Sequence, residues 1–193
     1  PLELENIRLV NLQLYDEGSA VVGIIASNCS VGDASHTAFM GDTKISGSIY
    51  CKRLSNRVGA LFGDVSFEAA ETTCRLVFGN LELNVDIEAA DVSPRADKFN
   101  TAALANTNPG EVGFLIGRCR LDGGDISFAN LSVSGSLTVN TQREYVSDIS
   151  ALIGKIEGPY NITFDKTVVN LELFTQGADR NLVCTDNQLG IIN

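Results

Sequence analysis

The stretch Leu81-Glu82-Leu83-Asn84-Val85-Asp86-Ile87-Glu88 alternates apolar and polar residues without a break. Successive side chains of an extended chain point to opposite faces, so the pattern specifies a strand with one dry face and one wet face. A helix would scatter the same apolar residues around its circumference. The signature recurs at Ile7–Tyr15, Lys44–Cys51, Val112–Leu121, Asp125–Val133, Gly135–Asn140 and Thr167–Phe174. Ala20–Ala26, Val58–Phe62 and Cys74–Phe78 are more uniformly apolar and read as buried strands.

Gly32-Asp33, Gly41-Asp42, Gly79-Asn80 and Gly123-Gly124 punctuate these runs with turn chemistry. Taken as chain reversals roughly ten to fifteen residues apart, they predict a mostly β fold, an antiparallel β-sandwich of jelly-roll type. The length of 193 residues suits a single domain, 1–193. Two segments break the strand pattern. Thr141-Gln-Arg-Glu144 has the form of a capping box, and Tyr145, Ile149, Leu152 and Ile153 behind it share a helical face, which predicts a helix at about 142–153. Ser93-Pro94 followed by Ala96, Phe99, Ala103 and Leu104 predicts a second at about 94–105, inside a long excursion at about 88–111.

Short resemblances within the chain have no common period. Val10-Asn-Leu-Gln-Leu14, Gly79-Asn-Leu-Glu-Leu83 and Val169-Asn-Leu-Glu-Leu173 share a core. So do Gly63-Asp-Val-Ser-Phe67 with Gly124-Asp-Ile-Ser-Phe128, and Ile45-Ser-Gly-Ser-Ile49 with Val133-Ser-Gly-Ser-Leu137. A β-solenoid with a fixed period of roughly 20–30 residues is not found, and the pentamers read as one local solution reused.

Composition narrows the function. The net charge of −10 repels phosphate backbones and anionic headgroups, so nucleic acid is excluded as an expected partner. No apolar run approaches the roughly 20 residues that span a bilayer, so membrane insertion is not expected. The five cysteines show neither CxxC spacing nor disulfide-scaffold density, and they read as buried free thiols. Pro1 with no signal-like stretch points to synthesis in the cytoplasm.

Chemistry-bearing patterns are sparse. His36 is the whole imidazole inventory and lies in the polar run Gly32–Thr37, which reads as a solvated loop. Asp122-Gly-Gly-Asp125 could offer carboxylates to a cation but reads as a hairpin turn. No catalytic, metal-ligating or cofactor-binding residue is singled out, and no cofactor is expected. The expectation is a non-catalytic structural subunit of a self-assembling particle or filament, a virion outer-shell, decoration or tail protein foremost, whose partners are copies of itself or other structural subunits. The alternative is an extracellular or cell-surface adhesin of lectin-like character that binds glycans or proteins. Under the first reading, contacts are expected from the 93–110 segment and the tail, Leu182 to Asn193, rather than from the acidic strand faces.

Overall fold

The computed structural model describes residues 2–16, 21–31, 36–51, 57–67, 75–90, 111–120, 124–141, 148–158 and 161–177. These form sixteen strands and no helix. The chain opens with β1 (Leu2–Glu5) and β2 (Arg8–Asp16). Next come β3 (Val21–Gly23), β4 (Ala26–Val31) and β5 (His36–Cys51), followed by β6 (Arg57–Gly59), β7 (Phe62–Phe67) and β8 (Arg75–Ala90). The same path is repeated by β9 (Glu111–Gly113), β10 (Ile116–Arg120), β11 (Asp125–Ala129) and β12 (Leu131–Thr141). It is repeated once more by β13 (Asp148–Ser150), β14 (Ile153–Glu157), β15 (Asn161–Asp165) and β16 (Val168–Gly177).

Every pairing between these strands is parallel, and each joins a strand to its equivalent one coil earlier or later. The chain therefore winds as a β-solenoid with three sheets along its sides. One is eight-stranded, and the other two are four-stranded, ordered β14-β10-β7-β4 and β13-β9-β6-β3. The antiparallel jelly-roll sandwich expected from the sequence is overturned by these parallel registers. Period-two alternation reports a half-buried strand but not the direction of its neighbour. Gly41-Asp42 and Gly79-Asn80, read as reversals, lie within β5 and β8, where the strand bends and carries on.

That bend forms a corner repeated in each coil. Asn6, Gly41, Asn130 and Lys166 adopt left-handed φ values of 52°, 68°, 55° and 50° there. Asparagine is among the few residues that tolerate this region, and its amide stays free to bond between coils. Asn130 Nδ2 donates to Asn80 Oδ1 at 2.7 Å, Asn80 Nδ2 donates to Asp42 Oδ1 at 3.0 Å, and the Asp42 amide donates to Asn6 Oδ1 at 3.3 Å. Such a ladder needs strands in matching register, which the parallel pairing of these coils supplies.

Inside the coils like stacks on like. Phe78, Phe128 and Phe164 occupy one column, with ring centroids 4.8 Å and 5.1 Å apart and nearly parallel planes. Leu81, Leu83, Val85, Ile87 and Ala89 all point into the core, and Glu82, Asn84, Asp86 and Glu88 point out, as the alternation requires. The uniformly apolar runs have a different origin. Val58-Gly59-Ala60-Leu61-Phe62 crosses a sharp apex at Ala60-Leu61 between β6 and β7, and all five residues are buried. Ladder hydrogen bonds continue through the apex: Ala60 N donates to Phe114 O at 2.8 Å and Leu115 N to Leu152 O at 2.8 Å.

The helix expected at about 142–153 is also overturned where the chain is described. Thr141 ends β12, Asp148–Ser150 is β13, and Ile153 begins β14, while 142–147 lie outside the described residues. Ile149, Leu152 and Ile153 are buried because they belong to an apex like that of Ala60-Leu61, a spacing that imitates a helical face over one turn. The helix expected at about 94–105 lies outside the described residues. Of the excursion at about 88–111, residues 88–90 complete β8 and Glu111 begins β9, and 91–110 lie outside them.

Cys51 and Cys119 are fully buried and Cys29 half-buried, all three as free thiols, and Cys74 and Cys184 lie outside the described residues. Burial pushes the Cys51 thiol up to about 12, aided by the Asp16 carboxylate, and raises Cys119 and Cys29 as well. Since only the thiolate reacts, iodoacetamide at neutral pH is expected to label Cys51 and Cys119 in the native protein far more slowly than after denaturation. Mass mapping of the labelled peptides checks this, and equal rates in both states would contradict the buried placement.

Candidate interaction surfaces

β1, β2, β15 and β16 are the outermost described strands of the eight-stranded sheet. Among the described residues β16 pairs with β12 alone and β15 with β11 alone, while β1 and β2 pair only with β5. These strands carry exposed apolar groups: Val168, Leu173 and Phe174 are 63%, 50% and 50% exposed on β16, and Val10 and Tyr15 are 50% and 60% exposed on β2. Leu173 stands in the column of Ile87 and Leu137, both buried, and is the last of that column among the described residues.

The outer face of the eight-stranded sheet is a second surface. Ser46, Asn84, Ser134 and Asn170 form one column, and Gln13, Ser48, Asp86, Ser136 and Glu172 form another. Tyr15 and Tyr50 stack beside them with centroids 5.1 Å apart. Around the asparagine corner, Asp42, Lys44, Asn80, Glu82, Asn130 and Ser132 line a shallow cavity of about 180 Å³. Its polar groups largely satisfy each other, with Lys44 Nζ 2.6 Å from Glu82 Oε2.

A third cluster lies where the four-stranded sheets fold against each other. Asp64 and Glu111 are 4% and 6% exposed and are the only buried carboxylates among the described residues. Asp64 Oδ2 accepts from Arg57 Nη1 at 2.9 Å and Arg118 Nη2 at 2.8 Å, and Glu111 Oε2 accepts from Arg57 Nε at 2.7 Å. Lys155 Nζ stands 3.5 Å from Glu111 Oε1. Burial alone would lower the Arg118 guanidinium, but its hydrogen bond to Asp64 and the charges of Asp64, Glu111 and Glu157 hold it above its ordinary value. The hydrogen bond from Lys155 pulls the Glu157 carboxyl down against partial burial, and the charges of Lys155, Arg118 and Arg120 assist. These contacts tie three successive coils together with each buried charge compensated, which is the arrangement a structural ion network needs.

The residues weighed for chemistry on sequence grounds scatter across the fold. His36 begins β5 rather than sitting in a loop. Asp122-Gly-Gly-Asp125 connects β10 of one sheet to β11 of another, so it closes no hairpin, and Asp125 stands 3.7 Å from Arg75. No group of three or more His, Cys, Asp or Glu among the described residues could hold a metal ion. The tail, Leu182 to Asn193, lies outside the described residues.

The pentamers acquire meaning from the registers. Ile45-Ser-Gly-Ser-Ile49 and Val133-Ser-Gly-Ser-Leu137 flank Leu83–Ile87 in the same columns. The last three residues of Val10–Leu14 and of Val169–Leu173 also share columns, in the first and last coils. The Gly63 and Gly124 pentamers, by contrast, belong to different sheets. A stronger repeat lies at the apices. Val22-Gly-Ile-Ile-Ala26, Val58-Gly-Ala-Leu-Phe62, Val112-Gly-Phe-Leu-Ile116 and Ile149-Ser-Ala-Leu-Ile153 mark the four described apices. Their spacings of 36, 54 and 37 residues hide them from a search for one short period. Leu189-Gly-Ile-Ile-Asn193 carries the same pattern in the sequence. Comparison with known proteins finds no family model that matches this chain, no curated protein similar to it in sequence and no solved structure similar to it in fold.

Proposed function

We propose that the protein is a non-catalytic structural subunit that assembles through exposed apolar side chains of its solenoid. The observation that carries this reading is the set of apolar groups exposed on the outermost described strands of the eight-stranded sheet, Val168, Leu173 and Phe174 on β16 and Val10 and Tyr15 on β2. Fully burying a side chain of this size contributes about 1.5–3 kcal/mol, so a few such contacts make a stable joint. Synthesis and retention in a reducing compartment accord with the free thiols of Cys29, Cys51 and Cys119.

Light scattering and electron microscopy of the purified protein test the reading. Mass is expected to rise with concentration, and to rise further with added salt, because screening weakens the mutual repulsion of chains carrying −10 each. A monomer at every concentration and salt level would refute it. The polar outer sheet face with its Tyr15–Tyr50 stack favours a second reading, a surface module that binds glycans. Glycan-array binding lost on Tyr50→Ala, by a chain that stays monomeric, would place that reading first.

A further inference from the structure

We infer that the cavity at the asparagine corner binds a single sugar ring through its hydroxyls. The cavity measures about 180 Å³ and opens on the outer face of the eight-stranded sheet, where it has room for one small ligand. Three successive coils line it: Asp42 and Lys44 belong to β5, Asn80 and Glu82 to β8, and Asn130 and Ser132 lead into β12. All six residues are exposed, so a ligand reaches them from solvent.

Most of these groups are held in place without a ligand. The amide ladder fixes Asp42, Asn80 and Asn130, and Lys44 Nζ donates to Glu82 Oε2 at 2.6 Å. A ligand is then spared the cost of ordering them. These bonds leave Asp42 Oδ2, Glu82 Oε1 and Asn130 Oδ1 to accept, the remaining Lys44 protons to donate and the Ser132 hydroxyl to do either. A sugar ring carries several hydroxyls, each a donor and an acceptor at once, and so matches a mixed set spread over neighbouring strands. Other ligand classes match it poorly. An anion would meet two carboxylates against one ammonium. A metal ion would find the Lys44 ammonium among its ligands, and no group of three or more His, Cys, Asp or Glu among the described residues could hold one. An apolar ligand would strip water from these groups and leave them without partners.

The second reading above shares this ligand class but places it at Tyr15 and Tyr50, so variants separate the two sites, and the corner site stands whether or not the chain assembles. The probes are D-glucose, D-galactose, D-mannose and N-acetyl-D-glucosamine at tens of millimolar with the full chain. Saturation-transfer NMR suits the measurement because it reads the sugar and tolerates assemblies of any size. At least one probe is expected to take up saturation, with a Kd on the order of 1 mM, as a few hydrogen bonds in an open site provide. Glu82→Gln should weaken that binding about fivefold to tenfold. Ser132→Leu, which fills the cavity, should abolish it, and Tyr50→Ala should leave it unchanged. Circular dichroism matching wild type confirms that these exposed substitutions leave the fold intact. No saturation of any of the four sugars overturns the site. Binding that survives Ser132→Leu and is lost in Tyr50→Ala overturns it as well, while placing the sugar at the tyrosine stack.

Discussion

Gly117→Ala is expected to destabilise the protein by about 3–5 kcal/mol, or to prevent folding, although it adds one methyl group. A Cβ at Gly117 would lie 2.6 Å from Gly63 O, 2.6 Å from Val58 N and 2.8 Å from Glu111 O. All three are backbone atoms of other strands, so no rotamer change relieves the contact. Only a shift of one sheet away from the other would, and that would break the ion network and the apex ladder together. The pattern of residues across the coils agrees. Gly63, Gly117 and Gly154 occupy a position whose Cβ would press on the preceding coil, and in β4, the outermost described strand of its sheet, the position is Ser27. Gly59 and Gly113 occupy a position that would press on the following coil, and in the last described coil it is Ser150. Ser27→Ala is accordingly expected to change stability by less than about 0.5 kcal/mol. Urea midpoints for the two variants check both statements, and a mild Gly117→Ala would show that the sheets do not approach as closely as described.

Asp64→Ala is expected to destabilise by about 3–5 kcal/mol, because it leaves two guanidinium groups in a buried site with one carboxylate, Glu111, to share. The larger part of that loss is the penalty of the orphaned charges rather than the worth of the original pairs. Hence Asp64→Ala combined with Arg118→Ala should lose less than the two single losses added together, a coupling that a double-mutant cycle measures. Arg118 suits this test because its side chain is 12% exposed, against 49% for Arg120, which stands 3.7 Å from the same carboxylate oxygen. A loss below about 1 kcal/mol for Asp64→Ala would mean that water screens the cluster as it screens a surface pair.

The candidate surfaces are only partly legible in the sequence. Leu173 looks there like the inward half of an ordinary strand, while Val168 and Phe174 stand in the outward columns of Glu82 and Glu88, and nothing local marks the three as exposed together. Asp64, Arg118 and Glu111 are far apart in the chain, and their partnership depends on coil spacings of 36 to 54 residues that vary with the connecting segments. The helix expected at about 142–153 shows the reverse error over 148–153. The spacing of Ile149, Leu152 and Ile153 suits a helix, but the apex at Ala151-Leu152 must align with those of the coils before it, and tertiary pairing overrides the propensity of a short segment.

By itself the sequence determined which residues lie inside and which outside along a strand such as Leu81–Glu88, since its alternation leaves only one way to bury the apolar half. It also marked Gly41-Asp42 as a place where the backbone departs from a straight strand, though not that the strand carries on past it. The tertiary structure alone decided that these strands run parallel as a solenoid. Alternation and turn residues are the same for either direction, and the choice lies in long-range stacking: phenylalanine on phenylalanine, asparagine on asparagine and glycine against backbone. Those contacts join residues dozens of positions apart and exist only once the coils are laid on one another.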